Sequence, residues 1–306
     1  MVYGLLFFIS LFVFPAYAQL GAPNLAIEQV PNFVHGDRGL SDEKRSSRLE
    51  WSSIFARDSY RSHLLGAEIG LSNDWALLLN AVSQKSERVS TASTFQAGAD
   101  HDIDDRSSIN FGILYMREPA DVIGRGATIG MDRAFDTPFL NAKRTTLTIQ
   151  GTILRYRQFG RLSNRIRQNY VSQNSVFLDG HQELLERFNV GVSVTRFAVG
   201  GGSPEELSQA ISNRPNVSNG LLTVVNGFPR QNTSARAEFE ASDKLLTTLE
   251  VFQTNYASSY FTRGAMVSAL YDITRHWRLT GGVSGTKDSN GNRGGGILLL
   301  GAAYTL

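Results

Sequence analysis

The chain of 306 residues carries 30 Lys and Arg against 28 Asp and Glu, a net charge of +2, and has no cysteine. Such a balance excludes a polyanionic or polycationic chain. The missing thiols exclude a disulfide framework and a lipid-modified N-terminal Cys, and without a dense basic motif nucleic acid is no expected partner. The cations are unusual in kind, because Lys occurs only at 44, 85, 143, 244 and 287. Arg binds carboxylate and phosphate bidentately and tolerates partly desolvated sites better than Lys.

The chain opens MVYGLLFFISLFVFPAYAQL. An apolar run ending in Ala16-Tyr17-Ala18 reads as a secretory signal, residues 1–18, cut before Gln19, although no Lys or Arg precedes it. The run is short for a membrane span and Pro15 interrupts it. Residues 19–47 contain Pro23, Pro31 and the polar run Ser41 to Arg45, which reads as a loosely structured extension. A plug inside the fold is the alternative for this segment. No later segment approaches the ~18 consecutive apolar residues of a transmembrane helix. Mean hydropathy, −0.17, is neutral on membrane location, since a membrane barrel alternates apolar and polar residues.

From Arg48 to Leu306 alternating segments follow one another between turn residues. His63, Leu65, Ala67, Ile69 and Leu71 alternate with Ser62, Leu64, Gly66, Glu68 and Gly70, and Ser72-Asn73-Asp74 turns the chain into a strand from Trp75. Ile109, Phe111, Ile113 and Tyr115 oppose Ser108, Asn110 and Gly112; Leu147, Ile149 and Ile153 oppose Thr146, Thr148, Gln150 and Thr152. Phe188, Val190, Val192 and Val194 stand against Arg187, Asn189, Gly191, Ser193 and Thr195. A soluble sheet alternates too, but many such segments in series with little helical periodicity predict an all-β, antiparallel up-and-down barrel of roughly 12–14 strands. Turns are expected at 179–183, 241–244 and 272–275, with connections at 132–144, 158–164 and 199–233, the last long enough to constrict or cap a lumen. Trp75 and Trp277 follow turns and are placed, with Tyr304, as interface aromatics. Arg187, Arg236, Glu238, Glu240, Glu250 and Arg263 fall on polar strand faces and are the candidates for lining a lumen. The five arginines at 155, 157, 161, 165 and 167 crowd one connection.

The last residues, GGGILLLGAAYTL, put Leu298, Leu300, Ala302, Tyr304 and Leu306 on one face. This pattern resembles the closing strand of Gram-negative outer-membrane β-barrel proteins, which carry an apolar final residue and commonly an aromatic two positions before it. Leu306 departs from the usual Phe or Trp. The resemblance implies a barrel over 48–306, in the outer membrane, in contact with its lipid and with lipopolysaccharide, and delivered to the barrel-assembly machinery through the C-terminal strand. It implies no enzyme, cofactor or particular solute. The expected role is a porin-like channel for small polar solutes or a polysaccharide chain; a non-conducting structural barrel is the alternative, and a barrel hydrolase a third.

The residues give hydrolysis and metal chemistry little support. Ser218-Asn219-Gly220 is similar to a stretch of outer-membrane phospholipase A, but Asn216 stands where the catalytic His belongs, and a Ser without its base is not activated. Asp100 to Asp105 with His101 lacks the spacing of a calcium loop, and the five His form no zinc motif.

Overall fold

The computed structural model describes residues 47–56, 60–86, 89–118, 122–136, 144–162, 165–185, 187–201, 229–256, 261–289 and 296–306. Residues 1–46 of the signal and extension expected over 1–47, and residues 202–228 of the long connection, lie outside the described residues.

Fourteen strands follow in order: β1 Arg48–Ala56, β2 Tyr60–Gly70, β3 Trp75–Ser86, β4 Val89–Asp104, β5 Ser107–Glu118, β6 Val122–Phe135 and β7 Arg144–Leu162. The second half runs β8 Arg165–Leu185, β9 Phe188–Gly201, β10 Pro229–Ser242, β11 Leu245–Tyr256, β12 Phe261–Asp272, β13 Trp277–Asp288 and β14 Ile297–Thr305. Each pairs antiparallel with its chain neighbours, and β1 pairs with β14 from Arg48↔Thr305 to Phe55↔Leu298, which closes the barrel. Leu306 N donates to Ser47 O at 2.8 Å, extending that seam by one bond. Closure leaves no strand edge unpaired, the condition for a sheet to sit in hydrocarbon.

Period two fixes which residues face which way. Leu65, Ile113, Ile129, Ile153 and Val192 are all more than half exposed, although large and apolar, so their row is the outer wall. The alternate row holds Ser62, Asn80, Asn110, Gln150, Ser193 and Thr254, all buried, and faces the lumen. A soluble sheet would carry the opposite arrangement, apolar in and polar out. Leu298, Leu300, Ala302, Tyr304 and Leu306 share the outer row, while Ile297 and Leu299 point inward.

Two expected boundaries are corrected. Of the connection placed at 158–164, residues 158–162 are strand, since β7 and β8 pair without a register shift from Arg144↔Glu183 to Leu162↔Arg165, and 163–164 lie outside the described residues. The turn placed at 179–183 comes after Leu185, because Asp179, His181 and Glu183 still pair with β9. Residues 122–131, which show little alternation, belong to β6, whose Gly124, Gly126 and Gly130 face inward and blank out the polar signal.

One end of the barrel, the turn end, carries both the β1–β14 seam terminus and short reversals such as 105–106 and 243–244. The opposite loop end carries the connection 202–228.

Candidate functional site: a charged lumen

The two faces of the wall differ in their charge balance. Inward rows carry Glu50 on β1, Glu68 on β2, Asp100 and Asp102 on β4, Asp132 on β6, Asp179 and Glu183 on β8, Glu238 and Glu240 on β10, Glu250 on β11 and Asp272 on β12. Against these eleven carboxylates stand four inward arginines, Arg48, Arg144, Arg236 and Arg278. All fifteen lie between the middle of the barrel and its turn end. The loop-end half of the inward rows is uncharged among the described side chains, with Tyr60, Leu64, Val82, Gln84, Met116, Leu154, Tyr156, Gln173, Tyr256 and Ile297 buried there.

Arg236 is the centre of the best-defined cluster. Its Nη1 and Nη2 donate to Asp179 Oδ1 and Oδ2, both at 2.8 Å, and its Nε lies 3.3 Å from Glu238 Oε1. Glu250 is its partner across β10–β11, and His181 Nε2 lies 3.9 Å from Glu238 Oε2. Asp179 is on β8 and Arg236 on β10, so the guanidinium must cross β9. It does so over Gly191, where a Cβ would come within 2.7 Å of Arg236 Cζ. Gly191→Ala is therefore expected to displace the guanidinium and to destabilise the barrel by roughly 1–3 kcal/mol, as overpacking does. The check is the urea midpoint for loss of the compact, heat-modifiable band; an unchanged midpoint would mean that Arg236 relocates without penalty.

Other pairs complete the ring. Arg278 donates to both Asp272 oxygens, at 2.6 and 3.2 Å, and Arg48 lies 3.5 Å from Glu50. Asp132 accepts from Thr148 Oγ1 and, at 3.4 Å, from Ser108 Oγ. Four arginines do not balance eleven carboxylates, so the ring keeps an excess of negative charge.

The residues singled out from sequence fall in three places. Arg236, Glu238 and Glu250 meet in the cluster, and Glu240 shares their row at the turn-end mouth. Arg187 is corrected to a turn position before β9, exposed and 3.4 Å from Asp243 in the next turn, because β9 starts at Phe188. Arg263 is corrected to the outer wall: its partners are Gln253 and Lys287, in register with exposed Val267, and Thr262 and Gly264 take the inward row. Alternation also divides the Asp100–Asp105 group, with Asp100 and Asp102 inward and His101 outward against Trp75. The sequence reading missed Glu50, Glu68, Asp132, Asp179, Glu183, Asp272 and three of the arginines, Arg48, Arg144 and Arg278 as lumen residues. A count of two from each neighbouring apolar residue, strand by strand, is the signal that finds them.

No family model matches the chain, and no curated protein matches it in sequence. Among solved structures, CymD, described as a monoaromatic hydrocarbon channel, superposes with a TM-score of 0.52 at 9% identity, covering 95% of this chain and 94% of that one. The NanC porin gives 0.44 at 10% identity over 84% of this chain and 100% of its own, and the KdgM porin 0.42 at 6% over 85% and 99%. The fold is that of an outer-membrane β-barrel.

At the turn end, one device twice places an outward-facing aromatic at the start of a strand. Ser72 Oγ accepts from the backbone N–H of Asp74 and Trp75, at 3.3 and 3.1 Å; Thr274 Oγ1 accepts likewise from His276 and Trp277, at 3.2 and 3.0 Å. Each turn thus delivers a Trp as the first residue of a strand, facing outward. Trp75 stacks on His101 with centroids 4.3 Å apart, and Trp277 meets Tyr304 at 4.9 Å, beside the closing seam. Trp277→Ala is expected to lower stability by roughly 1 kcal/mol beyond the lost area, the scale of an aromatic pair. Measuring Trp277→Ala, Tyr304→Ala and the double variant by urea unfolding isolates that coupling; additive losses would deny it.

Proposed function

We propose that this barrel is an outer-membrane channel for small polar solutes and that it favours cations. The observation that carries this reading is the excess of carboxylates over arginines on the inward rows, set in a wall too wide for one layer of side chains to fill. Fourteen strands about 4.8 Å apart and tilted about 40° close on a backbone circle of roughly 28 Å diameter. Rings of Asp and Glu attract cations, and the low-dielectric wall focuses their field. The acidic ring disfavours a polyanionic sugar chain and leaves neutral or cationic solutes as cargo.

With the turn end on the periplasmic side, the uncharged half of the lumen is met first from outside and the acidic ring second. The outer leaflet's lipid and lipopolysaccharide surround the barrel in this reading, and the outward row of β14 is the segment offered to the assembly machinery. Export by a cleaved signal over 1–18 belongs to the same reading. The test is swelling of proteoliposomes in isosmotic solutes of matched size. Faster swelling with lysine hydrochloride than with sodium glutamate supports the reading. Equal rates, or no swelling above empty vesicles, would replace it with the non-conducting barrel.

A further inference from the structure

The charges on the outer wall are as one-sided as those in the lumen, and of opposite sign. Among the described side chains, the outward rows carry one carboxylate, Asp104 at the turn end, where a bulge sets it opposite Ser107 and beside Arg133. The cations there gather at the loop end, and six of them face each other in like-charged pairs across strands: Arg61↔Lys85, Arg125↔Arg155 and Arg263↔Lys287. Like charges directly opposite in a sheet repel, and none of the six has an ion-pair partner among the described residues. Three repulsive pairs at the loop end of the outer wall make physical sense when an anion lies between the members of each.

The surroundings identify that anion. Below each pair the same row is lipid-facing: Leu65 follows Arg61, Ile129 follows Arg125 and Val267 follows Arg263, each four residues on and about half exposed or more. A ligand spanning both levels must be anionic at the top and hydrocarbon beneath. At the middle pair an aromatic joins the cations, with Arg157 Cζ 5.7 Å from the Tyr170 ring centre. Arg forks bind phosphate bidentately, and two cations on adjacent strands suit a group with more than one negative charge.

We infer that the loop-end outer wall is a binding belt for polyphosphorylated lipid headgroups of the leaflet that surrounds it. The inference rests on the membrane reading above but not on an open lumen. The cationic pairs hold the phosphates and the apolar rows below them hold the acyl chains. The belt fixes the height of the barrel in the bilayer and makes its stability depend on headgroup charge.

The test uses the folded full-length barrel in detergent micelles, with lipid retention read by native mass spectrometry. The probes are diphosphorylated lipid A, the same lipid with both phosphates removed, and inorganic pyrophosphate. The expected result is about tenfold stronger retention of the phosphorylated lipid, the scale of one charge-assisted contact, with weaker retention of pyrophosphate. Arg125→Gln with Arg155→Gln, or Arg61→Gln with Lys85→Gln, is expected to reduce the preference several-fold, whereas Arg133→Gln at the turn end leaves it unchanged. Equal retention of the two lipids overturns the inference, as does equal loss in the Arg133→Gln control. Pyrophosphate held as tightly as the lipid assigns the cations to a free phosphate and also overturns it. The comparison of lipids needs only the wild-type barrel, and conductance of the same sample reports the channel separately.

Discussion

Replacing Arg236 by Met is expected to destabilise the barrel by about 3 kcal/mol, because it strands buried charge without a partner. The guanidinium and the Asp179 side chain are 22% and 11% exposed, so both have given up most of their water. Wild-type Arg236 returns that cost through two 2.8 Å bonds to Asp179 and its approach to Glu238. Removing it leaves Asp179 on β8, Glu238 on β10 and Glu250 on β11 with His181 the nearest source of positive charge. Asp179→Asn alone is expected to lose less, since Arg236 keeps Glu238 and Glu250. The check is a double-mutant cycle on urea unfolding followed by tryptophan fluorescence. A loss below about 1 kcal/mol for Arg236→Met would place the cluster in the class of solvated surface pairs instead.

The second large effect concerns selectivity. Neutralising Asp100, Asp102, Glu183 and Glu240 to the amides removes four of the eleven inward carboxylates and no arginine. The excess of negative charge falls from seven to three, and the cation preference is expected to fall several-fold, because ion enrichment depends exponentially on the potential in the pore. These positions avoid the Arg236 and Arg278 pairs; Glu183 alone among them lies directly opposite an inward arginine, Arg144. Arg263→Gln changes the outer wall only and is expected to leave the reversal potential unmoved. A shift with Arg263→Gln as large as that of the fourfold variant would return Arg263 to the lumen.

That pair of outcomes also marks how far the sequence could be read. Alternation in 63–71, 109–115 and 188–195 gave the strands and their faces, since a period of two needs only local residues. The terminal row from Leu298 to Leu306 gave the closing strand, and Trp75 and Trp277 gave two turns. Arg263 was misplaced because Thr262, Arg263 and Gly264 are all polar or small, so one residue of phase decides the face and flanking residues do not. Arg187 was misplaced for a related reason: it continues the polar phase of β9 one residue beyond the strand. Glycine hid β6, where it replaces the polar side chains that would have marked the inward row. The Asp179–Arg236 contact was beyond reach, since it joins residues 57 apart across an intervening strand and depends on Gly191 having no side chain.

The acidic lumen is tested most directly by the reversal potential of the refolded wild-type barrel in a planar bilayer under a tenfold potassium chloride gradient. Discrete conductance steps with a reversal potential displaced toward that of potassium are the predicted result. A folded, heat-modifiable barrel that gives no steps, or steps that reverse toward the chloride potential, would contradict the account.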